Sequence, residues 1–387
     1  MTALRRHAIA ADHIFDSHTL HRHKALLIDG EMIAGILPVS ELDRAISVRA
    51  LPPGSWLAPG FIDTQVNGGG DVLFNAEPTA AAIERIVAAH RRSGTTGMLL
   101  TLISDTPGQM RSAREAVHKA TASDSGLIGI HFEGPFLSRE KPGVHDPRML
   151  RAPSPAELDL LTSPAPFPVL VTLAPEVMPM GCISRLAAAT VRVAIGHSMA
   201  TYAQTRQALD EGATGFTHVF NAMRPLASRE PGPIAVALEA TGVWLGMIVD
   251  GVHVHPAMLR LALRGMGNPM LVSDAMPPVG GRKATFVLAA QPIVRKDDSC
   301  VRHDGTLAGT ALNMAKAVRN CVRMLDVPLT SALRFASTEP ANFLGLGDRF
   351  GRLLPGYRAD LVAFRADTIE VLETWIAGRA CALAAPY

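Results

Sequence analysis

The sequence predicts an α/β fold: a closed, TIM-like (β/α)₈ barrel with a small β-sandwich domain built from both chain termini. Three observations predict it. Eight short apolar runs follow one another between residues 56 and 276. Helix-like, alanine-rich segments separate most of them. The two ends of the chain show strand-like alternation instead.

Residues 1–56 read as short strands. ALLIDGEMIAGIL alternates and turns at Asp29-Gly30, a hairpin signal. From Leu57 the texture changes to WLAPGFIDT, TGMLLTLIS, GLIGIHFEG, PVLVTLAPE, VRVAIGHS, GFTHVFN, VWLGMIVDGVHV and PMLVSDAM. Strands apolar throughout belong to a parallel sheet covered on both faces. Eight strand–helix alternations favour closure into a barrel. An open doubly wound sheet competes, but no GxGxxG follows the first run, which weakens its dinucleotide-binding form. Residues near 282–308 form a β-rich insertion, and a helical region runs roughly from Asn313 to Leu346. The final RLLPGYRADLVAFRADTIEVLETWIAG alternates again. The expected division is therefore 1–56 with 352–387 as the small domain, and 57–351 as the barrel.

The chain has 387 residues, 48% of them hydrophobic, enough for one large core with a satellite. Lys+Arg number 37 against 35 Asp+Glu. No bulk field then attracts nucleic acid or an anionic membrane, and any anionic ligand must be recognised locally. The start, MTALRRHAIAADHIF, has no long apolar run and no small-residue cleavage site, so no signal peptide is expected. Nor does any apolar stretch reach spanning length. The four cysteines form no CxxC pair, which argues against a disulfide framework and a thiolate zinc site. These features predict a cytoplasmic protein.

Polar residues gather where the apolar runs end, which in a barrel is the catalytic face. They are Gln65 and Asn67, His131 and Glu133, His197, His218, Asp250 with His253 and His255, and Asp274. A Glu, His, His set suits a borderline divalent metal, and three protein ligands leave a position open for water. His131 with Glu133, and His253 with His255, are two apart and share a face, so spacing alone leaves either pair able to supply a ligand.

APGFIDTQVNGGGD, HFEGPF, KPGVHDP, GHSMATY, THVFNAM, REPG, DGVHV and SDAM occur in this order between residues 58 and 276. In this the chain resembles the N-acetylglucosamine-6-phosphate deacetylases of the amidohydrolase superfamily. HFEGPF and THVFNAM are specific to that group. APGFIDT and the closing GYRADLV are general to the superfamily. The resemblance implies that Glu133, His197 and His218 bind metal and that Asp274 is the catalytic aspartate. It implies that His145 and His253 contact substrate. Arg229 would reach the sugar phosphate in the neighbouring subunit, which requires at least a homodimer. Many amidohydrolases hold a second metal with His-x-His after the first strand; here Gln65 and Asn67 stand there, and amides are poor zinc ligands. The expectation is one divalent ion per subunit, zinc first, with Fe²⁺, Co²⁺ or Mn²⁺ compatible. Gln65 and Asn67 become candidate contacts to water or the acetamide, and backbone N–H groups at Asn221 and Ala222 candidate phosphate donors. The implied reaction converts N-acetyl-D-glucosamine 6-phosphate to D-glucosamine 6-phosphate and acetate. Asp274 would serve as general base and then acid, with His145 stabilising the oxyanion. A related substrate such as N-acetylgalactosamine 6-phosphate would use the same machinery. A non-catalytic scaffold of the same fold is disfavoured because no ligand is missing.

Overall fold

The computed structural model describes residues 6–121 and 126–381. Residues 1–5 and 382–387, at the outer ends of the expected small domain, lie outside the described residues. Eight parallel strands form the barrel: Phe61–Val66, Thr95–Ile103, Leu127–Glu133, Val169–Leu173, Arg192–Ile195, Gly215–Phe216, Trp244–Met247 and Asn268–Leu271. Each pairs with its neighbour in chain order. The second and third are buried at every position, as a sheet covered on both faces requires.

The seam between the first and last strands is closed by side chains and one bridge. The Asp63 carboxylate accepts from the Ser273 N–H at 3.2 Å and from the Ser273 hydroxyl, and Val66 bridges to Ala275. Helices return the chain between strands. Thr79, Thr106, Ser154 and Thr201 cap four of them through their hydroxyls, and Ser154 and Thr201 complete capping boxes with Glu157 and Gln204.

The run WLAPGFIDT divides between two sheets. Ser55–Pro59 pairs antiparallel with Leu361–Arg365 in the small sheet, whereas Phe61–Val66 enters the barrel. Gly60 separates them: a Cβ there would lie 2.2 Å from the Thr96 side chain, so only glycine fits.

The small sheet has eight strands in one hydrogen-bonded network, with five from residues 7–59 and three from 361–380. Ile9, Leu26, Ile33, Leu57, Leu361 and Trp375 share its core. The expected hairpin is present, with Asp29 paired to Met32. After the barrel, Thr285–Leu288, Gln291–Lys296, Ser299–Arg302 and Leu307–Thr310 form an antiparallel sheet. Leu288, Ile293 and Cys300 pack it onto Leu73, Ile103 and Met276 beside the barrel mouth. Among the described residues, no helix is long and apolar enough to cross a membrane.

Candidate active site

Glu133 ends the third barrel strand, and His197, His218 and Asp274 lie two or three residues past the fifth, sixth and eighth. All four therefore meet at the C-terminal mouth. His197, His218 and Asp274 have φ of 49°, 29° and 50°, a region that side chains rarely occupy. Their carbonyls are held there: His197 O accepts from Ser138, His218 O from Asn221 and Asp274 O from Thr310. Each such backbone costs about 1–3 kcal/mol, a strain tolerated where it aims a functional side chain.

Glu133, His197 and His218 each bring one ligand atom within 4.8 Å of the others, the one such group among the described residues. The two Nε2 atoms are 3.1 Å apart, and Glu133 Oε1 lies 3.3 Å and 3.1 Å from them. His197 Nδ1 donates to Lys141 O at 2.8 Å. That bond places the proton on Nδ1 and turns the Nε2 lone pair toward the cluster. Two imidazole nitrogens and a carboxylate oxygen, all buried and convergent, fit a divalent cation. Burial alone would push the Glu133 carboxyl up, but hydrogen bonds and charge from His197 and His218, when these rings are protonated on the cluster-facing nitrogens, hold it well below the usual range. Burial opposes charge on His218, and Glu133 still raises it.

Asp274 sits beside this cluster. Asn67 Nδ2 donates to its Oδ1 at 2.7 Å and Gln65 Nε2 at 3.2 Å. Burial, then the charge of Glu133, pushes its carboxyl up to about 7. Gln65 Nε2 also lies 3.1 Å from Glu133 Oε1. Its amide thus faces two carboxylates from beneath, whereas Asn67 forms part of the cavity wall.

The cavity above measures about 450 Å³. His145 lines it, with Nδ1 3.2 Å from the Ser104 N–H and 2.7 Å from Ser104 Oγ. A backbone N–H only donates, so Nδ1 keeps its lone pair and Nε2 carries the proton. Burial, then the charge of His197, lowers the ring to about 3, so it stays a neutral donor. His253 also lines the cavity and is held by Asp250 at 2.6 Å. Asn221 and Ala222 lie in the wall, but the Asn221 N–H and Nδ2 both donate to His218 O.

The pairs that spacing left open are separated by the structure. His131 lies inside the barrel between Thr101 and Thr172, at 3.1 and 2.7 Å. His255 caps helix Pro256–Ala262 through Nδ1. Arg229 is exposed and absent from the cavity wall of its own chain. Sequence reasoning missed Ser104, although it ends the second apolar run, and the carbonyl of Lys141. It also missed Thr306, Leu307 and Gly309, which bring the insertion to the cavity and carry no motif.

The amidohydrolase family model matches residues 56–381. The chain belongs to the amidohydrolase family. This amidohydrolase is 41% identical over 325 residues to an N-acetylgalactosamine-6-phosphate deacetylase of Shewanella sp., spanning 83% of this chain and 82% of the relative. It is 32% identical over 374 residues to an N-acetylglucosamine-6-phosphate deacetylase of Haemophilus influenzae, spanning 95% and 97%. The crystal structure of N-acetylglucosamine-6-phosphate deacetylase from Pasteurella multocida superposes with a TM-score of 0.93 at 34% identity, covering 97% of this amidohydrolase and 99% of that chain.

Proposed function

We propose that this amidohydrolase removes the acetyl group of N-acetyl-D-glucosamine 6-phosphate, releasing D-glucosamine 6-phosphate and acetate in amino-sugar catabolism. The observation that carries this reading is the buried Glu133, His197, His218 cluster with Asp274 clamped beside it. It occurs in a chain similar over nearly its full length to deacetylases of such sugar phosphates.

Glu133 Oε1, His197 Nε2 and His218 Nε2 would hold one divalent ion, zinc in this proposal. When bound, such an ion supplies Lewis acidity toward the amide and acidifies water at neutral pH. Asp274 takes the proton of the attacking water, with Asn67 and Gln65 fixing its carboxylate. The Nε2–H of His145 donates to the carbonyl oxygen as charge develops there. Asp274 then returns the proton to the departing amine, the first step having charged it for the second. His253, oriented by Asp250, and the Ala222 N–H serve the phosphate end. A guanidinium from Arg229 of a second copy completes it, since the residue lies outside its own cavity and offers a bidentate fork. The working assembly in this proposal is a cytoplasmic homodimer.

A second reading is favoured by the Shewanella relative: N-acetylgalactosamine 6-phosphate as the substrate. Acetate release from both epimers, with and without the 6-phosphate, tests the proposal. Turnover of the phosphorylated glucosamine derivative ahead of its epimer supports the first reading, and the reverse order the second. Equal turnover of unphosphorylated sugars would overturn both.

A further inference from the structure

A second cavity, of about 490 Å³, lies away from the cluster and is comparable in size to the first, of about 450 Å³. Helix Ala80–Arg91 forms one wall, and the loops at Gly70–Asp71 and Gly280–Arg282 form the other. Arg85, Arg92 and Arg282 all line it. Arg85 and Arg92 are seven apart, so a helical path brings both to one face. Ala88 and Ala89 between them leave room for a ligand. Two carboxylates also border the space. That of Asp71 is turned to the loop backbone, where Oδ1 accepts from Arg282 N at 3.0 Å and Lys283 N at 2.9 Å. Against the carboxylates of Asp71 and Glu84, the three guanidiniums, one of them donating from Arg85 to Gly70 O at 3.1 Å, leave the lining one positive charge in excess, a local balance that favours an anion.

The cavity floor is continuous with the backbone that carries the catalytic aspartate. Asn67 N and Gly68 N donate to Ala275 O, Gly70 N to Val279 O, and Asp71 N to Pro277 O. The helix is tied to the same loops. His90 Nε2 lies 2.9 Å from Gly68 O, and a Cβ on Gly280 would lie 2.8 Å from Ala89 Cβ. A shift of the helix against these loops therefore reaches Asn67, and through its 2.7 Å bond, Asp274.

We propose that this cavity binds the phosphate group of a small phosphorylated metabolite and that its occupancy adjusts the positioning of Asp274. The binding claim stands apart from the substrate reading; the coupling claim rests on it. The probe is inorganic phosphate, titrated calorimetrically into the full-length protein. Arg229→Ala is the background, so that the phosphate end of the active site is weakened. A saturable site is expected, with Kd raised about tenfold or more by Arg85→Gln with Arg92→Gln, and separately by Arg282→Gln. With Arg229 intact, phosphate should then change kcat with a half-saturation matching that Kd, and the arginine variants should abolish the change. Absence of phosphate binding in the background protein, or binding unaltered by both sets of substitutions, overturns the site. Binding lost in the variants with kcat flat across the titration overturns the coupling. Failure to turn over any N-acetylated sugar phosphate would sink the substrate reading while leaving the calorimetric result decisive for the cavity.

Discussion

Replacing Asp274 with asparagine isolates the proton-transfer role from every other role the residue plays. Asparagine has nearly the same volume and retains an oxygen for Asn67 Nδ2, now 2.7 Å from Oδ1, and for Gln65 Nε2 at 3.2 Å. The clamp can survive, and the phosphate end proposed at His253 and Ala222 is untouched. What disappears is the only proton acceptor proposed for the attacking water. General acid–base roles are worth ~10²–10⁴-fold, which corresponds to about 2.7–5.4 kcal/mol of barrier. Losing both transfers places Asp274→Asn at the upper end of that range. Folding should not suffer, because burial and Glu133 already disfavour the charged carboxylate. The assay is acetate release under saturating substrate, with metal content by elemental analysis and Tm by calorimetry on the same preparation. The expected result is kcat lowered by that factor, with KM, metal content and Tm close to those of the parent. A kcat near the parent's would refute the assignment. Loss of the metal together with the rate would refute the division of roles, by making Asp274 a ligand.

Chelation should abolish turnover, and about one zinc ion per subunit should restore it, because Gln65 and Asn67 offer amides where a second ion would need better ligands. Two tightly bound ions, both required, would contradict this. His90 is fully buried, and burial lowers its ring to about 4. Between pH ~6.5 and ~4 the unfolded chain takes up a proton at His90 that the folded chain refuses, so this residue alone contributes a stability loss of about 3 kcal/mol through that window, beside the losses from buried His131 and His145. His90→Gln keeps a donor for Gly68 O and should reduce the acid loss by that share, measured by urea unfolding at either end of the window; equal acid losses in both proteins would count against the account. Arg229→Ala should raise KM strongly for the phosphorylated sugar and little for the unphosphorylated one. Co-expressed Arg229→Ala and Asp274→Asn subunits should recover activity in mixed dimers, and no recovery in verified heterodimers would place Arg229 in its own subunit's site.

Strand order, the barrel end at which the polar residues gather and the membership of the cluster were legible in the sequence. Eight apolar runs and the polar residues at their ends are local properties, set by residue type and spacing. The motif resemblance singles out Glu133, His197 and His218, and these three converge in the fold. Spacing alone did not separate them from His131 and His255, because a period of two says which face a side chain takes but not what lies opposite. The apparent single strand WLAPGFIDT was another limit. Its division at Gly60 depends on Thr96, a neighbour only once the barrel has formed.

Composition and pattern by themselves determined an α/β barrel with polar chemistry at one end, near-neutral charge and candidate ligands of the right kind. Tertiary structure alone decided the protonation geometry. Which nitrogen of His197 faces the cluster depends on Lys141 O, 56 residues away; the tautomer of His145 depends on Ser104, 41 away; and the Asp274 carboxylate is oriented by Asn67 from 207 away. Residue type supplies a donor or an acceptor at each position, but its partner is chosen by the tertiary fold: for Asp274 by the approach of the first strand to the eighth, for His197 and His145 by the loop that carries Lys141 and His145 folding over the mouth. The alternation of strands and helices predicts closure but not which side chains it brings together, so the directions of these hydrogen bonds emerge only in the folded chain.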